Sequence, residues 1–173
     1  MSRLRRLMLA DRYFFVTCNL FRPRDPFEGD DFEILARVIE ARRAQHGFFL
    51  TAWVFLPDHW HAIVGVRYPQ TISLILESIK VGSTRQINTR HREAGRLWQG
   101  RFFDRALRTV KEYHEAVDYI HWNPVRRGLV ARPEEWPWSS VREYGFEKMA
   151  DARHEPALRI DGVRIPTDEK ARI

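Results

Sequence analysis

Near the start of the chain, apolar residues alternate with other residues, as they do in a β-strand. Across 13–20, the side chains of Phe14, Val16, Cys18 and Leu20 fall on one side, because residues two apart point to the same face of a strand. Two prolines and a glycine follow and indicate a loop. The alternation therefore predicts a first strand with one apolar face.

Three later segments also have the character of strands. Phe48–Leu56 is apolar on both sides, which favours a central and fully buried strand. Pro57 and Asp58 predict a tight turn, so His59–Val66 should form a third strand paired with the second as a hairpin. Trp98–Leu107 mixes phenylalanine with arginine and predicts a fourth strand.

Apolar residues at helical spacing predict three helices between and after these strands. Asp30 or Asp31 is placed to cap the first helix, which should end at Gly47. Thr71 is placed to cap the second, and the third should begin at Thr109.

The resulting order is strand, helix, strand, strand, helix, strand, and then an extra helix. This order consists of two split βαβ halves followed by one more helix. It predicts an α+β protein with a ferredoxin-like antiparallel sheet (βαββαβ), helices on one face and an additional C-terminal helix. Residues 1–146 are expected to form a single domain. Residues 147–173 are polar and lack periodicity, so they predict a C-terminal tail that either extends into solvent or lies over the body.

The composition limits the class of protein. The chain has 173 residues, 44% hydrophobic and 30% charged, which is typical of one folded domain. No apolar run reaches the roughly 18 residues of a membrane helix, and the N-terminus lacks the apolar core of a signal peptide. Cys18 is the only cysteine, which excludes an internal disulfide and a thiolate-rich zinc site. A cytoplasmic protein without membrane contact is the expectation.

The positive charge is concentrated in one part of the sequence. The formal net charge is +6, and residues 80–108 alone carry eight basic and two acidic side chains. Such a block is either a solvated face or a surface that binds a polyanion such as nucleic acid. The residues predicted to contact the nucleic acid are Lys80, Arg85, Arg101, Arg105, Arg108, Arg126 and Arg127.

Two histidines of the third strand have the spacing of metal ligands. His59 and His61 are two residues apart, so both imidazoles should leave one face of the strand while Trp60 is buried on the other. Two imidazoles held in this way can bind a divalent metal, with an amide or carboxylate oxygen, water and substrate at the other positions. The alternative is a pair of surface histidines at the top of a hairpin.

The third predicted helix carries a tyrosine and an asparagine on one face. Tyr119 and Asn123 are one turn apart, with Glu115 one turn earlier. A tyrosine hydroxyl can attack a phosphodiester when a nearby metal draws charge from the phosphate, and the Asn123 carbonyl oxygen is a candidate third ligand. Two alternatives stay open: Tyr119 as a core residue, and Asn123 as the N-cap of a short helix after a break at Pro124.

Aromatic side chains are interleaved with the arginines. Base stacking combined with phosphate contacts is how proteins hold single-stranded nucleic acid. Most of these rings are expected in the core, and only one or two are expected to meet bases. They are Trp98, Phe102, Phe103, Trp122, Trp136 and Trp138.

Four motifs occur in a fixed order: LPDHWHAIV, WQGRFFDRALRT, YIHWNPVRRGLV and WPWSS. Together they resemble the single-tyrosine HUH transposases, in the branch of the REP-associated tyrosine transposases, from about Tyr13 to Tyr144. The resemblance implies a ferredoxin-like HUH nuclease fold that nicks single-stranded DNA and transfers the strand. It also implies a divalent cofactor, Mg²⁺ or Mn²⁺, and hairpin-forming repeat DNA as partner, with the protein acting as a monomer or a homodimer.

The same resemblance assigns roles to individual residues. His59 and His61 take the place of the metal-binding histidines, and Asn123 takes the place of a third ligand that is often glutamine in the broader family. Tyr119 takes the place of the nucleophile, which forms a 5′-phosphotyrosine intermediate and releases a free 3′ hydroxyl.

Two other functions are consistent with the residues alone. The first is a non-catalytic module that binds single-stranded nucleic acid with the same type of sheet. The second is a metal-dependent endonuclease that activates water, with Tyr119 in a structural role only. The chain has no glycine-rich phosphate loop, nucleophile elbow or cysteine-based finger, so nucleotide hydrolysis and acyl transfer have no support.

Overall fold

The structure is a computed structural model that describes residues 12–144 and 157–162. Within these residues it has four strands, three long helices and two short 3-10 helices. No helix of this described part is long and apolar enough to cross a membrane. The elements are β1 (Arg12–Asn19), α1 (Gly29–His46), β2 (Phe49–Leu56), β3 (His59–Val66), α2 (Ile72–His91), β4 (Phe103–Ala106) and α3 (Val110–Arg126), followed by 3-10 helices at Pro133–Glu135 and Ser140–Tyr144.

The four strands form one antiparallel sheet in the order β2-β3-β1-β4. This order confirms the predicted ferredoxin-like arrangement, in which the hairpin of β2 and β3 adds to one side of β1. Helices α1 and α2 pack together on one face of the sheet. The additional helix, α3, covers the opposite face.

The alternation of side chains in β3 divides its residues between these two faces. Trp60, Ala62 and Val64 lie in the core beneath α1 and α2, as the sequence predicted. Ile63 lies in the second core, beneath α3. His59 and His61, which share the face of Ile63 in the strand, therefore point toward α3.

Strand β2 is an edge strand, so the prediction of a central position was wrong. Its apolar character has another cause, because the chain after α3 covers its free edge. The Phe55 N–H donates to the Trp138 carbonyl at 2.9 Å, and the Trp53 N–H donates to the Ser140 hydroxyl at 2.9 Å. The edge is thus paired and buried without a fifth strand.

The described part of the C-terminal tail covers the beginning of the same edge. Leu158 is buried, and its carbonyl accepts the Trp53 indole N–H at 3.0 Å. The Asp161 N–H donates to the Leu50 carbonyl, and the Asp161 carboxylate accepts the Leu50 N–H, both at 2.8 Å. Residues 157–162 therefore lie over the body; the rest of the predicted tail is outside the described residues.

Two predicted element boundaries moved for identifiable reasons. The fourth strand is shorter than predicted, because Trp98 only bridges to Leu20 and turns into the core, where its indole donates to Ser83 at 2.8 Å. Helix α1 begins at Gly29, before the predicted cap at Asp30 or Asp31. Its N-cap is Glu28, whose N–H is accepted by the Asp31 carboxylate at 3.1 Å.

The other predicted caps are confirmed. Gly47 ends α1 in the left-handed conformation, with φ of 66°. The Thr71 hydroxyl accepts the Leu74 N–H at the start of α2. The Thr109 hydroxyl accepts the Glu112 N–H at the start of α3.

Helix α3 is not broken at Asn123 and Pro124, contrary to the prediction. It continues to Arg126, and the Arg127 N–H still donates to the Asn123 carbonyl at 3.0 Å. Packing of this helix on the sheet outweighs the local preference of proline to end a helix. Asn123 is therefore an interior residue of α3, which excludes the alternative of a helix cap.

The Ser140 hydroxyl ties the covered edge to α3. It accepts the buried Trp53 N–H and lies 3.0 Å from Nε2 of His121. We expect Ser140→Ala to lower the free energy of unfolding by about 1–3 kcal/mol, because a buried N–H loses its partner. Urea unfolding measures this change. Ser78→Ala is the control, since Ser78 is only part-buried, and it should change the value by less than about 0.5 kcal/mol; equal effects would contradict the account.

Candidate active site

The turn between β2 and β3 is held rigidly at the end of β1. The Pro57 carbonyl accepts the Phe27 N–H at 2.7 Å, and the Asp58 carbonyl accepts the Leu20 N–H at 2.8 Å. His59 follows this turn directly as the first residue of β3. The backbone thus fixes the position of Asp58 and of the first histidine together.

The two histidine side chains converge through their Nε2 atoms, which are 3.0 Å apart. Nδ1 of His59 lies 2.5 Å from the Asp58 carboxylate, and Nδ1 of His61 lies 2.8 Å from the Thr17 hydroxyl. With the Nδ1 protons donated to these oxygens, both Nε2 lone pairs face the same space. Such outer partners orient imidazoles that bind metals.

Burial keeps both imidazoles neutral. It lowers the pKa of His61 to about 3, with further lowering by His59 and Arg127. Burial also lowers the pKa of His59, although the neighbouring Asp58 carboxylate opposes this shift. Neutral imidazole is the form that binds a metal ion.

Helix α3 places three side chains on successive turns against this pair. The ring of Tyr119 lies 5.3 Å from that of His61, measured between centroids. Nη2 of Arg127 lies 3.3 Å from Nδ1 of His59. Asn123 lies on the same row of α3 between these two residues, because residues four apart share a helical face.

Asn123 is buried, and its Oδ1 atom has no hydrogen-bond partner among the residues that the structure describes. A buried carbonyl oxygen without a partner is costly unless something else satisfies it. A cation shared with His59 and His61 would satisfy this oxygen. Among residues 12–144 and 157–162, no group of three His, Cys, Asp or Glu side chains is placed to hold a metal, so the amide of Asn123 is the candidate for a third protein donor.

The residues fit a divalent metal. The two Nε2 atoms, 3.0 Å apart, are close enough for both to bind one ion. The buried Asn123 oxygen supplies a harder donor of the kind that magnesium and manganese accept.

Tyr119 stands at the open side of this cluster. Its side chain is 40% exposed, so it is not a core residue. The edge of its ring packs on Phe15 at 5.7 Å, which fixes the ring against the sheet. The Arg126 guanidinium lies over the ring, 5.4 Å from its centroid. This cation–π contact holds the guanidinium against the ring face.

Comparison with known proteins places this geometry in a family. The sequence profile described as "Transposase IS200 like" matches residues 11–123. A REP-associated tyrosine transposase of Escherichia coli strain K12 is 31% identical over 141 residues, which cover 81% of this chain and 82% of the relative. This chain belongs to the IS200-like transposase family and is a DNA transposase.

A solved structure agrees with this assignment. A REP-associated tyrosine transposase bound to a REP hairpin matches the transposase with a TM-score of 0.73 and 28% identity, over 100% of this chain and 99% of that chain. The resemblance stated from the four motifs is confirmed. Transposases of this family are generally metal-dependent.

The seven predicted DNA-contacting residues of the transposase are not brought into one patch. Arg105 on β4, together with Arg126 and Arg127, lies on the side of the sheet that carries Tyr119. Lys80 and Arg85 belong to α2 on the opposite side, where the Lys80 ammonium donates to two backbone carbonyls. Arg101 and Arg108 are exposed at the two ends of β4.

The aromatic residues divide as expected. Trp98 is buried, and Phe102, Trp136 and Trp138 pack against the core beneath α1 and α2. Phe103 and Trp122 are about half exposed, at 54% and 46%. These two are the rings of the set that remain accessible to bases.

Sequence reasoning did not find Thr17 and Asp58 as partners of the histidines. Asp58 had a signal, because a carboxylate next to a histidine of an HxH pair commonly orients it. Thr17 had none, since its position opposite His61 depends on the register between β1 and β3. The sequence indicated no role for His121. In the structure its Nε2 atom lies 3.0 Å from the Ser140 hydroxyl, which ties α3 to the segment that follows it.

Metal binding at the histidine pair can be measured without DNA. A ligand that binds only the folded state stabilises it, by about 2.7 kcal/mol at a hundred times its dissociation constant. We expect MnCl₂ to raise the thermal unfolding midpoint of the wild-type transposase and to have no such effect on His61→Ala or Asn123→Ala. His114→Ala, which removes an exposed histidine of α3, is the control and should keep the shift. An unchanged shift in His61→Ala would exclude this site.

The unpaired arginines around β4 can be tested by salt dependence. Arg105 and Arg108 form no ion pair within the described ranges, whereas Arg90 is paired with Asp30 and Asp31. For single-stranded DNA each neutralised phosphate contributes a slope of about −0.7 in log affinity against log salt. Arg105→Gln and Arg108→Gln should each make the slope of log affinity against log salt less negative by about 0.7. Fluorescence anisotropy titrations at several salt concentrations measure this slope. Arg90→Gln should leave it unchanged; a loss of the same size there would show only a general charge effect.

Proposed function

We propose that the transposase nicks single-stranded DNA with Tyr119 as nucleophile and transfers the strand through a covalent 5′-phosphotyrosine intermediate. Its substrate is hairpin-forming repeat DNA. The proposed cofactor is Mg²⁺ or Mn²⁺, held by His59, His61 and Asn123. The observation that carries the proposal is the convergence of an exposed tyrosine, two neutral imidazoles and an unpartnered amide oxygen at one point of the fold.

The reaction exchanges one phosphodiester for another. The Tyr119 oxygen forms a bond to phosphorus, the bond from phosphorus to the 3′ oxygen breaks, and the phenolic proton is in net terms transferred to the released 3′ hydroxyl. A bound divalent cation supplies Lewis-acid polarisation of the phosphate oxygens. The step needs no external energy source, and attack by another 3′ hydroxyl on the phosphotyrosine reverses it.

The residues of the chain have distinct tasks in this step. Phe15 and the sheet hold the Tyr119 ring in place, and the Arg126 guanidinium packs over its face. Asp58 and Thr17 fix the orientation of the two imidazoles. This preorganisation lowers the cost of reaching the transition state, because these side chains are already held by their partners before DNA binds.

The guanidinium of Arg127 lies at the outer side of the histidine pair. It is half exposed and bonded to the Asp58 carboxylate at 3.3 Å. In this position it neutralises Asp58 and offers donors to a phosphate approaching from solvent. Arg105, Arg126 and Arg127 together give the Tyr119 side of the sheet the charge that single-stranded DNA requires.

The choice of substrate rests on the relatives. A REP-associated tyrosine transposase of the same overall shape is bound to a REP hairpin in its solved structure. Since this chain matches that protein along its full length, we extend the substrate class to it.

The donor set distinguishes between the two proposed metals. Imidazole ligands suit transition metals, whereas magnesium prefers oxygen donors and keeps its waters. We expect Mn²⁺ to support DNA cleavage at concentrations at least about tenfold lower than Mg²⁺, as measured by titrating each metal in a gel cleavage assay. Equal or better performance of Mg²⁺ would argue against direct coordination by both His59 and His61.

The nucleophile is tested with labelled single-stranded hairpins from the repeats of the genome that encodes the chain. With Mn²⁺, wild-type protein should form a protein–DNA adduct that survives denaturation, and Tyr119→Phe should form none, because it lacks the attacking oxygen. Tyr68→Phe is the matched control, since Tyr68 is 72% exposed beyond the far end of β3, and it should form the adduct normally.

Each contrary outcome points to a defined alternative. Cleavage without an adduct that persists in Tyr119→Phe would identify an endonuclease that uses water. Tight binding of the hairpins, with neither cleavage nor adduct, would identify a non-catalytic binding module.

A further inference from the structure

An open cavity lies between β4 and α3, directly beside Tyr119. Its volume is about 300 Å³, at the lower end of the range for small-ligand sites. The function proposed above already involves three of its residues, Tyr119, Phe15 and Arg105, but gives no role to Phe103 or Glu115. The cavity is lined by Phe15, Phe103, Arg105, Glu115, Ala116 and Tyr119.

The register of β4 explains why two of its side chains reach this cavity. Phe103 pairs with Thr17 and Arg105 pairs with Phe15 across the antiparallel ladder. Directly opposed residues share a face of the sheet. Phe103 and Arg105 are therefore on the same face as Thr17, the partner of His61.

Phe103 is an aromatic residue without the burial that aromatic residues normally have. Its side chain is 54% exposed, although its ring meets the edge of Phe15 at 6.2 Å. An exposed ring that is held by a second ring offers a firm platform for stacking. Every nucleobase has a π-face, so such platforms bind single-stranded nucleic acid with little dependence on sequence.

The charges on the two walls of the cavity are opposite. Arg105 on the β4 wall is exposed and has no acidic partner in the part of the chain that the structure describes. Glu115 on the α3 wall lies 3.8 Å from Lys111 and is 58% exposed. A phosphate is attracted to the β4 wall and repelled from the α3 wall, whereas the amino and imino donors of a base are attracted to Glu115.

We propose that this cavity is a nucleobase site, in which a base flanking the cleaved phosphodiester is unstacked onto Phe103 while its backbone phosphate is bound by Arg105. The site rests on the proposed function, since it assumes single-stranded DNA at Tyr119. Occupation of the site holds the DNA strand in one position, so that the phosphate next to the bound base lies at the Tyr119 oxygen. Phe103 is a positioning residue.

The test is a double-mutant cycle between protein and DNA, with binding as the readout. Full-length protein carrying Tyr119→Phe, which cannot react, is titrated with fluorescent single-stranded hairpin oligonucleotides. One nucleotide at a time in their unpaired flanks is replaced by an abasic unit. The same titrations are made with three further proteins, each of which carries Tyr119→Phe together with one other substitution: Phe103→Ala, Phe103→Trp or Tyr68→Ala. Tyr68 is the matched control, because it is also an exposed aromatic residue but lies outside the cavity.

Stacking of one base contributes enough to be seen clearly. At one position the abasic unit should weaken binding about 5- to 100-fold in the parent protein. In Phe103→Ala the same abasic unit should have almost no effect, because the platform is already absent. Phe103→Trp and Tyr68→Ala should both retain the full effect.

The proposed base site would be contradicted if, at every position, an abasic unit weakened binding to Phe103→Ala as strongly as it weakens binding to the parent protein. A loss of the effect in Tyr68→Ala as large as in Phe103→Ala would also contradict it. The two proposals fail separately: a covalent adduct in wild-type protein without coupling at Phe103 removes only the base site. If the effect of an abasic unit depends on Phe103 but no covalent adduct forms, only the proposed strand transfer is contradicted, and the base site stands.

Discussion

The packing of α3 across the histidine face of the sheet is the interaction on which the site depends. Neither element carries all the residues of the proposed site. Strand β3 supplies two imidazoles that burial keeps neutral, and α3 supplies the tyrosine and the amide. Only the contact between them places Tyr119 against His61 and Arg127 against His59, with Asn123 between.

The rest of the fold keeps that contact in place. The segment after α3 runs back along the free edge of β2, where Ser140 bonds both Trp53 and His121. Because His121 belongs to α3, the same hydroxyl that closes the edge also fastens the helix. The described tail residues extend this cover to Leu50, so the edge strand next to the histidine strand has few unpaired groups.

Local sequence patterns predicted the elements and the facing of the key side chains. Alternation in β3 was enough to put both histidines on one face, and helical spacing was enough to put Tyr119 and Asn123 on another. The resemblance to a family then joined these two faces into one site. The Thr71, Thr109 and Gly47 boundaries followed from capping preferences.

What could not be predicted depends on contacts between segments that are distant in sequence. Strand β2 has the apolar composition of a central strand because Trp138 and Ser140 cover its free edge. The continuation of α3 through Pro124 is decided by packing on the sheet, which a local rule for proline does not include. The arginine block is continuous in sequence, but α2 and β4 carry its members to different sides of the sheet.

The order of the strands also decides where the substrate can lie. Strand β4 is the edge of the sheet opposite to β2, and no segment of the described chain pairs with its outer side. This leaves Phe103 and Arg105 accessible next to Tyr119, on the side where the basic residues of α3 also lie. One edge of the sheet is thus covered, and the other is open on the side where we propose that DNA binds.

The central claim is that Tyr119 becomes covalently joined to DNA, and mass spectrometry of the linked peptide tests it most directly. Tryptic cleavage after Lys111 and Arg126 gives a peptide that contains both Tyr113 and Tyr119. After nuclease digestion of the adduct, the account predicts a 5′-linked nucleotide whose mass appears in fragments that include Tyr119 and is absent from N-terminal fragments that end before it. Attachment at Tyr113, attachment through a 3′ phosphate, or cleaved DNA with no modified peptide would contradict the account.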